Sequence, residues 1–274
     1  MSESAIRILR DRVAELDSPL VPADASAGDP RLERAVSVMS FCTDTEMAAV
    51  SGGTAVLTPD DADEVTRGCR LLKEIARTDA SLVEGPLRRD RQRWIGTAAH
   101  PGTSAHPGTS APTGTPAPLD RSRFTEATAA AGHPPEVKPF RHGLFTSTAT
   151  RGGAGMWEMY LRPYHGSDLF PLPWQVWQVE PTAEASVLDI TSARDWADFV
   201  ERYAREHEGV VHPDWEKAAQ DVSGVHLTLR AIVATQGFQF RTASGLTAAP
   251  YWDVETTLWL RWHFSSVRCL DVIH

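Results

Sequence analysis

The chain has few cysteines and no long apolar segment, and each shortage excludes a class of protein. Its three cysteines, Cys42, Cys69 and Cys269, lie far apart in a chain of 274 residues. This spacing argues against a disulfide framework and against a compact thiolate metal site. No run of eighteen apolar residues is present, so no membrane-spanning helix is expected. The start of the chain also lacks the basic and apolar regions of a signal peptide, and together these features predict a cytoplasmic protein.

An extended basic region is lacking as well. The formal net charge is −9, with 27 lysines and arginines against 36 acidic residues. Proteins that bind nucleic acids gain much of their affinity from basic surfaces that release counterions, so no strong nucleic-acid interaction is predicted. The local exception is segment 88–93, which carries four arginines beside Trp94. We interpret it as a solvated helix end that leads into a linker.

Aromatic residues are scarce in the first third of the chain. Residues 1–96 hold two of the 22 aromatic residues, whereas residues 119–274 hold the other twenty. The segment 97–118 between them is rich in proline, glycine and threonine and repeats the hexapeptide Ala-His-Pro-Gly-Thr-Ser. Such a composition buries too little apolar surface to fold. The sequence therefore predicts a helical region over 1–96, a disordered linker over 97–118 and an aromatic-rich domain over 119–274.

Hydrophobic spacing predicts helices in the first region. Apolar residues recur at helical intervals over 5–16 and again after the Asp29-Pro30 pair, which has the usual order of a helix cap followed by proline. A third helix is expected to begin after Thr58 and to place Val65, Leu72 and Ile75 on one face. No catalytic constellation is visible in this region.

The aromatic-rich region interleaves helices and strands. Strands are predicted over 143–148, 174–179, 186–190, 225–229 and 258–264. Helices are predicted around 156–161 and after Ser192, whose spacing to Asp195 is typical of a capping box. No regular βαβ period connects these elements. The predicted fold class is therefore α+β: a mixed domain with a split, antiparallel-type sheet and flanking helices, preceded by a small all-α region and the disordered linker.

Three stretches concentrate polar groups among aromatic residues: 138–150, 164–167 and 251–255. In the last stretch, Asp253 and Glu255 lie two apart beside Trp252, so the two acids share a face if the chain is extended. A carboxylate among bulky rings must be paired or used, because burial of an unpaired charge is costly. The alternative to a functional role is an ion pair with Arg241 or Arg261.

A resemblance to a known family rests on short motifs. The segments GLFTST (143–148) and VWQVEP (176–181), with a helix that carries Tyr160 between them, resemble the middle of the ADP-ribosyltransferase fold. The resemblance extends over roughly residues 140–260. It implies an enzyme that cleaves the nicotinamide–ribose bond of NAD and transfers ADP-ribose to an acceptor, which could be a macromolecule.

The resemblance also implies roles for individual residues. Ser147 and Thr148 match the hydroxyl-bearing strand near the nicotinamide ribose, Tyr160 matches the stacking aromatic, and Glu255 matches the catalytic acid. Cleavage of this bond passes through an oxocarbenium-like state, as in glycoside hydrolysis. A carboxylate that binds the ribose hydroxyl holds it more strongly as positive charge develops.

The residue that would anchor NAD is left open by the resemblance. His165, in the motif Tyr-His-Gly-Ser, is the most literal match to the histidine of the family, and the pair His142-Gly143 is a partial match. Trp252 and Asp253 are candidates for the wall of the nicotinamide pocket. Two arginines precede the motifs in the expected order, Arg121 and Arg123.

Other functions are compatible with the same sequence. The chain has no Gly-rich phosphate loop, no G-x-S-x-G elbow and no H-E-x-x-H pair, which argues against the commonest nucleotidases, esterases and zinc proteases. One alternative is a non-catalytic ligand- or protein-binding module that uses an exposed aromatic surface. Another is a hydrolase with a metal at His207, His212 and Asp214, although this spacing is more typical of a polar turn, and no metal site is predicted.

Overall fold

A computed structural model describes most of the chain. The described residues are 3–19, 29–40, 55–97, 119–127, 138–139, 142–165, 167, 170–249 and 252–274. The predicted disordered linker over 97–118 lies outside these residues apart from Thr97, and Tyr251 lies outside them too.

Helices and strands both contribute to the fold. The helices are α1 (Glu3–Leu16), α2 (Pro30–Ser40), α3 (Pro59–Arg67), α4 (Arg70–Thr78), α5 (Ala80–Glu84), α6 (Met156–Leu161), α7 (Ala193–Arg202), α8 (Trp215–Asp221) and α9 (Leu229–Thr235). The strands are β1 (Val56–Leu57), β2 (Gln92–Thr97), β3 (Leu144–Thr148), β4 (Trp174–Pro181), β5 (Val187–Ile190), β6 (Ala204–His207), β7 (Val210–Pro213), β8 (Gly224–Leu227), β9 (Gln239–Thr242), β10 (Gly245–Ala248), β11 (Thr256–Trp259) and β12 (Phe264–Ile273). The predicted α+β class is confirmed.

The strands form two mixed sheets. The larger sheet has seven strands in the order β12-β4-β2-β3-β11-β8-β5, and all its neighbours are antiparallel except β5 and β8. The smaller sheet has five strands in the order β1-β9-β10-β7-β6, with parallel pairs at β1–β9 and β10–β7. The sheet of this α+β fold is thus split, as predicted, although both halves also contain parallel pairs.

The helices expected near the amino terminus are present, with one difference. Thr58 caps α3, since its hydroxyl accepts the backbone N–H of Asp61 at 3.2 Å. The sequence predicted one helix with Val65, Leu72 and Ile75 on a common face, but the chain forms two helices there. The N–H of Gly68 bonds to the Val65 carbonyl at 3.1 Å, which tightens the last turn and ends α3 before α4 begins.

The seven-stranded sheet includes a strand from the predicted helical region. β2 pairs antiparallel with β4 along its length and with β3 at Gln92 and Arg93, so it lies between these strands. The helices of this region also pack against later elements: the Arg12 guanidinium on α1 donates to the Val233 carbonyl on α9 at 2.9 Å. Residues from both ends of the chain therefore share one sheet and one core, which the shift in aromatic content did not predict.

The end of the chain differs from the single alternating strand predicted over 258–264. β11 ends at Trp259, and the chain turns before β12 begins at Phe264. β11 lies between β3 and β8 and all four of its residues are buried, because a central strand is covered on both faces. The prediction of a single strand was wrong because residues 260–263, in which the apolar alternation continues, form the turn between the two strands.

Candidate functional site

Five polar side chains form a row across one face of the seven-stranded sheet, the Glu255 face. The row consists of Asp189 on β5, His226 on β8, Glu255 directly before β11, Thr148 on β3 and Gln92 on β2. Directly paired residues point to the same face of a sheet, and the pairs are Asp189 with His226 and Thr148 with Gln92. The sheet order thus brings together residues that are far apart in sequence.

Glu255 lies at the centre of this row and is fully buried. Its Oε1 atom accepts a hydrogen bond from the Thr148 hydroxyl at 2.7 Å, and its Oε2 atom accepts one from the Thr148 backbone N–H at 2.7 Å. The pairing of β3 with β11 ends at Thr146 opposite Thr257. The carboxylate therefore satisfies a backbone donor beyond the last strand pair, where a buried N–H without a partner would be costly.

His226 joins Glu255 to Asp189. Its Nε2 atom lies 2.9 Å from Oε1 of Glu255, and its Nδ1 atom lies 2.7 Å from Oδ1 of Asp189. Burial lowers the pKa of this imidazole, but the hydrogen bonds to Asp189 and Glu255 outweigh burial and raise the pKa to about 9. The ring is therefore an imidazolium at neutral pH. His226 was missed in the sequence, where the available signal was a histidine between Val225 and Leu227 in an apolar strand.

The hydrogen bonds continue from Thr148 across β2. The Gln92 side-chain amide donates to the Thr148 hydroxyl at 3.0 Å, and its oxygen accepts from the Thr146 hydroxyl at 2.5 Å. Thr146 in turn accepts the indole N–H of Trp259 at 2.8 Å. Each of these polar groups is satisfied inside the protein, which is typical of a rigid buried network. Glu255 is therefore held inside the sheet by this network, with no exposure to solvent.

The opposite face of the sheet, the α6 face, carries a second polar row. Ser147 and Arg93 are paired on β3 and β2, and the row continues through Gln178 to Arg268. The Ser147 hydroxyl accepts the Trp157 backbone N–H at 3.1 Å, so it holds the beginning of α6 against the sheet. Burial lowers the pKa of the half-buried Arg93, and the charge of Arg268 lowers it further.

Ser147 and Thr148 are thus on opposite faces, although the resemblance assigned both to one ribose site. Thr148 contacts Glu255, whereas Ser147 contacts the backbone of α6. The cause is the strict alternation of side chains along a strand. The structure brings together Glu255 and Thr148, and it separates both from Ser147.

An open cavity of about 460 Å³ lies above the α6 face, between α2, α4 and α6. Its floor includes Val176 on β4 and Asp271 on β12. The turn that links β3 to α6 forms one wall, with the glycines of segment 150–154 and the exposed Arg151. Arg151 makes no ion pair with any described residue. The other two arginines of the cavity are paired, Arg31 with Asp29 at 2.5 Å and Arg162 with Glu158 at 3.3 Å.

A second cavity of about 310 Å³ adjoins the first, because Met159 and Arg162 line both. Tyr160 and Tyr164 form part of its wall, opposite Val36 of α2. These tyrosines belong to a run of rings in edge-to-face or tilted contact, the aromatic run. Its centroid separations are 5.4 Å for Trp157–Tyr160, 5.7 Å for Tyr160–Tyr164 and 5.6 Å for Tyr164–Phe170.

The predicted stacking residue Tyr160 therefore lies in an open groove on the α6 face. Glu255, the predicted catalytic acid, is buried on the other face of the sheet. The structure does not bring these two residues into one cleft. Tyr164, whose ring was not among the predicted stacking residues, shares the groove with Tyr160.

Trp252 forms part of an internal cage around Lys138. The Lys138 Nζ atom lies 5.1 Å from the ring centroid of Phe145, 5.4 Å from that of Trp157 and 5.1 Å from that of Trp252. Such contacts between a cation and aromatic faces are favourable. Burial nevertheless lowers the pKa of Lys138 to about 8, with the charge of Asp253 opposing the shift. Trp252 is fully buried and contributes to this core cage.

Asp253 does not share the surroundings of Glu255. Its backbone has a φ of 64°, so the stretch is not extended there and the condition for a face shared by the two acids is not met. Burial raises the pKa of Asp253, while the charge of Lys138 and a hydrogen bond with Gln236 lower it. Among the described residues, neither acid forms the alternative ion pair with Arg241 or Arg261: Glu255 contacts Thr148 and His226, and Asp253 lies 3.5 Å from the Gln236 amide.

Three further predicted site residues lie elsewhere. Gly143 has a φ of +81°, and a Cβ atom there would lie 2.5 Å from the carbonyl oxygen of Trp259, so the glycine permits close approach of two strands. The backbone N–H of His142 donates to the Pro139 carbonyl at 3.2 Å. The exposed His165 packs edge-on against Trp174 at 5.6 Å. The side chain of Glu255 instead contacts Thr148 and His226.

The metal-dependent hypothesis has no support in the geometry. His207 on β6 lies opposite Val210, two residues from His212 on β7, and the two imidazole centroids are 6.5 Å apart. Asp214 instead caps α8, where it accepts the Lys217 backbone N–H at 3.1 Å. Within the described segments, no group of three or more histidine, cysteine, aspartate or glutamate side chains is arranged to hold a metal ion.

The described helices include none with both the length and the apolar character needed to cross a membrane. Comparison of the chain with family models, with curated proteins and with solved structures gave no match. The chain is therefore characterised by the geometry of the two faces of its larger sheet. It comprises a buried charged network on the Glu255 face and an open, aromatic-lined groove on the α6 face.

Proposed function

We propose that this chain binds a nucleotide-class ligand, with NAD as the first candidate, in the two adjoining cavities along α6. The observation that carries the proposal is the arrangement of one open groove. It has the rings of Tyr160 and Tyr164, in tilted contact, at one end. At the other end lies the guanidinium of Arg151, which forms no ion pair with a described residue. A nucleotide needs both features, an aromatic surface for its base and a cation for its phosphates.

The size of the groove suits such a ligand. The two cavities measure about 460 and 310 Å³, and small-molecule sites usually range from about 300 to 1,000 Å³. Bases stack on tyrosine rings without sequence preference. Arginine binds phosphate oxygens through its planar fork of donors. The glycines at 152 and 153 leave the wall beside Arg151 free of side chains, so a ligand can approach its backbone.

In this proposal, Ser147 positions the groove and does not touch the ligand. Its hydroxyl accepts the N–H of Trp157 at the start of α6, and both Met159 on α6 and Arg162 directly after it line the two cavities. The proposal keeps NAD as the ligand expected from the resemblance and assigns Tyr160 a stacking role. It moves the binding surface away from Glu255, Trp252 and Asp253.

Binding can be measured by isothermal titration calorimetry with NAD and ADP-ribose. Replacing Tyr164 by alanine should weaken affinity about tenfold, since base–aromatic stacking is worth about 1–3 kcal/mol. Arg151→Ala should weaken it by a similar factor, because charge-assisted hydrogen bonds are worth about 1.5–3 kcal/mol. Arg241→Ala, an exposed arginine in the five-stranded sheet, is the matched control and should leave affinity unchanged. Absence of binding at millimolar NAD and ADP-ribose would contradict the proposal.

ADP-ribosyl transfer is the second candidate function. The observation that favours it is the contact between Glu255 and Thr148, the two residues that the resemblance assigns to the catalytic acid and the ribose strand. The burial of Glu255 opposes it, because a ribose hydroxyl can reach the carboxylate only after Thr148 or His226 moves away.

Release of nicotinamide from NAD tests the second candidate. If the chain is a transferase, the wild type releases nicotinamide with a suitable acceptor extract. Glu255→Gln should then abolish release while NAD binding is retained. If wild-type protein that binds NAD releases no nicotinamide with any acceptor extract, the transferase hypothesis is wrong and the binding function stands.

A further inference from the structure

The last strand, β12, forms one edge of the seven-stranded sheet. It contains ten residues (Phe264–Ile273) and pairs with β4 on one side. No described strand lies along its other side. Most of β12 is exposed, and its Leu270 is the one large hydrophobic side chain among the described residues that is classed as exposed, at 40%. A long edge strand with an exposed apolar residue is a template for pairing with another strand.

Two opposite charges on β12 point to the same face of the sheet. Arg268 lies opposite Gln178, and Asp271 lies opposite Val176. Gln178 and Val176 are two apart on β4, so they share a face. Arg268 and Asp271 are three apart on β12. The register shift between Cys269 and Asp271 allows both to point to this one face.

Neither charge is neutralised within the described part of the chain. Arg268 donates to the side-chain oxygen of Gln178 at 3.2 Å, which is a neutral acceptor. Asp271 accepts the backbone N–H of its neighbour Val272 at 2.8 Å. No ion pair joins either residue to another described residue.

The valines that flank this pair share the other face. Val267 lies opposite Val179, and Val272 lies opposite Gln175. Because residues four apart on β4 share a face, both valines point to the side opposite the charges. The order valine, arginine, aspartate, valine along β12 is therefore symmetric in its chemistry about the Cys269–Leu270 peptide bond, with opposite charges at equivalent positions.

We propose that β12 pairs with β12 of a second copy of this chain, antiparallel, about a two-fold axis between Cys269 and Leu270. In this register Arg268 of each copy lies opposite Asp271 of the other, which forms two ion pairs. Directly opposed charges of opposite sign stabilise a sheet, whereas like charges would prevent the pairing. A two-fold axis closes the assembly as a dimer, because the same surface is used by both copies.

The same register opposes apolar side chains on the other face. Val267 of each copy lies opposite Val272 of the other. Leu270 and Asp271 also line the 460 Å³ cavity, so Arg268 of the second copy would lie beside the rim of that cavity. The second copy thus adds a cation to the edge of an open site.

Charge exchange tests the register. Light scattering with size-exclusion chromatography should give a dimer mass for the wild type at concentrations on the order of 100 µM, appropriate for a modest interface. Arg268→Asp and Asp271→Arg should each weaken association at least about tenfold, because each places like charges opposite one another. The variant with both Arg268→Asp and Asp271→Arg exchanges the two charges within each chain. It restores both ion pairs between the copies and should dimerise again. Arg10→Asp, an exposed charge reversal on α1, should not affect the mass.

Cross-linking gives a second readout. Cys269 is exposed and Cys69 is buried, and the proposed axis places the two copies of Cys269 next to each other. A short bis-maleimide should therefore join two wild-type chains covalently, and Cys269→Ser should remove the product. Circular dichroism melting confirms that each variant is folded.

A monomer mass for the wild type at this concentration would overturn the proposal. So would a dimer that neither single reversal weakens, since a different surface would then form it. Failure of the folded double variant to recover the dimer mass would exclude the antiparallel register.

Discussion

The carboxylate of Glu255 accepts both hydrogen bonds that Thr148 donates, one from the backbone N–H and one from the hydroxyl, each at 2.7 Å. The contact lies where the pairing of β3 with β11 has ended. His226 approaches the same carboxylate at 2.9 Å from the other side. The Glu255 carboxylate thus accepts the backbone hydrogen bond that the carbonyl of a paired strand would otherwise accept. The imidazolium of His226 balances the negative charge of this carboxylate. The predicted catalytic acid is in this way part of the framework of the sheet.

Glu255→Gln should destabilise the fold by about 2–4 kcal/mol, because an amide retains one acceptor and presents donors to the donors of Thr148 or His226. Urea unfolding at pH 7 measures the change. The matched control is Glu64→Gln, an exposed glutamate on α3, which should stay within about 0.5 kcal/mol of the wild type. Equal stability of the two variants would show that Glu255 is not a structural anchor.

The raised pKa of His226 predicts a loss of stability in alkaline solution. The folded pKa of about 9 exceeds the ordinary value of 6.5, so the folded state binds the proton more tightly than the unfolded state. The protonated ring therefore contributes on the order of 3 kcal/mol to the free energy of unfolding. This stabilisation is fully present below about pH 6.5 and is lost as the pH rises through 9. Urea unfolding of His226→Gln between pH 6 and 9 should lack this decline. A parallel pH dependence in wild type and variant would refute the assignment.

Lys138 should have the opposite effect at higher pH. Its folded pKa of about 8 lies below the ordinary 10.5, so the folded state loses the proton first. The cost of the buried charge is present below pH 8 and is relieved as the pH rises toward 10.5. The stability of the wild type relative to Lys138→Met should therefore increase over this range. Lys73→Met, an exposed lysine on α4, is the control, and a constant difference for Lys138→Met would contradict the prediction.

Comparison of Gly143→Ala with Gly209→Ala separates two reasons for a glycine: space for a close backbone contact and a positive φ. Both glycines have positive φ, +81° and +79°, but only at Gly143 would a Cβ atom meet neighbours, with the Trp259 carbonyl oxygen at 2.5 Å. The left-handed conformation alone costs roughly 1–2 kcal/mol. We expect that cost for Gly209→Ala and at least about 2 kcal/mol more for Gly143→Ala, because strand backbones must separate. Equal losses in urea unfolding would exclude the close approach.

Local patterns predicted many elements correctly. The helices α1, α2, α6 and α7 and the strands β3, β4 and β5 follow the apolar spacing and the caps that identified them. These signals lie within a few residues of one another, so a sequence displays them directly. The cap at Ser192 is an example, since its hydroxyl accepts the Asp195 N–H at 3.0 Å.

Long-range pairing accounts for what the sequence did not predict. β2 belongs to the same sheet as strands that follow residues 98–118, and no local pattern encodes a partner so distant. His226 resembled a core residue in an apolar strand, and its role depends on Asp189 and Glu255 in neighbouring strands. The separation of Ser147 from Thr148 could have been predicted, because adjacent residues of a strand point to opposite faces.

The most direct test of the proposed site compares NAD affinity in Glu255→Gln and Tyr164→Ala by isothermal titration calorimetry, below the melting temperature of both variants. If the ligand lies in the groove along α6, Glu255→Gln binds NAD with wild-type affinity and Tyr164→Ala binds about tenfold more weakly. The reverse pattern, with loss of binding in folded Glu255→Gln and none in Tyr164→Ala, would contradict the proposal and place NAD on the Glu255 face.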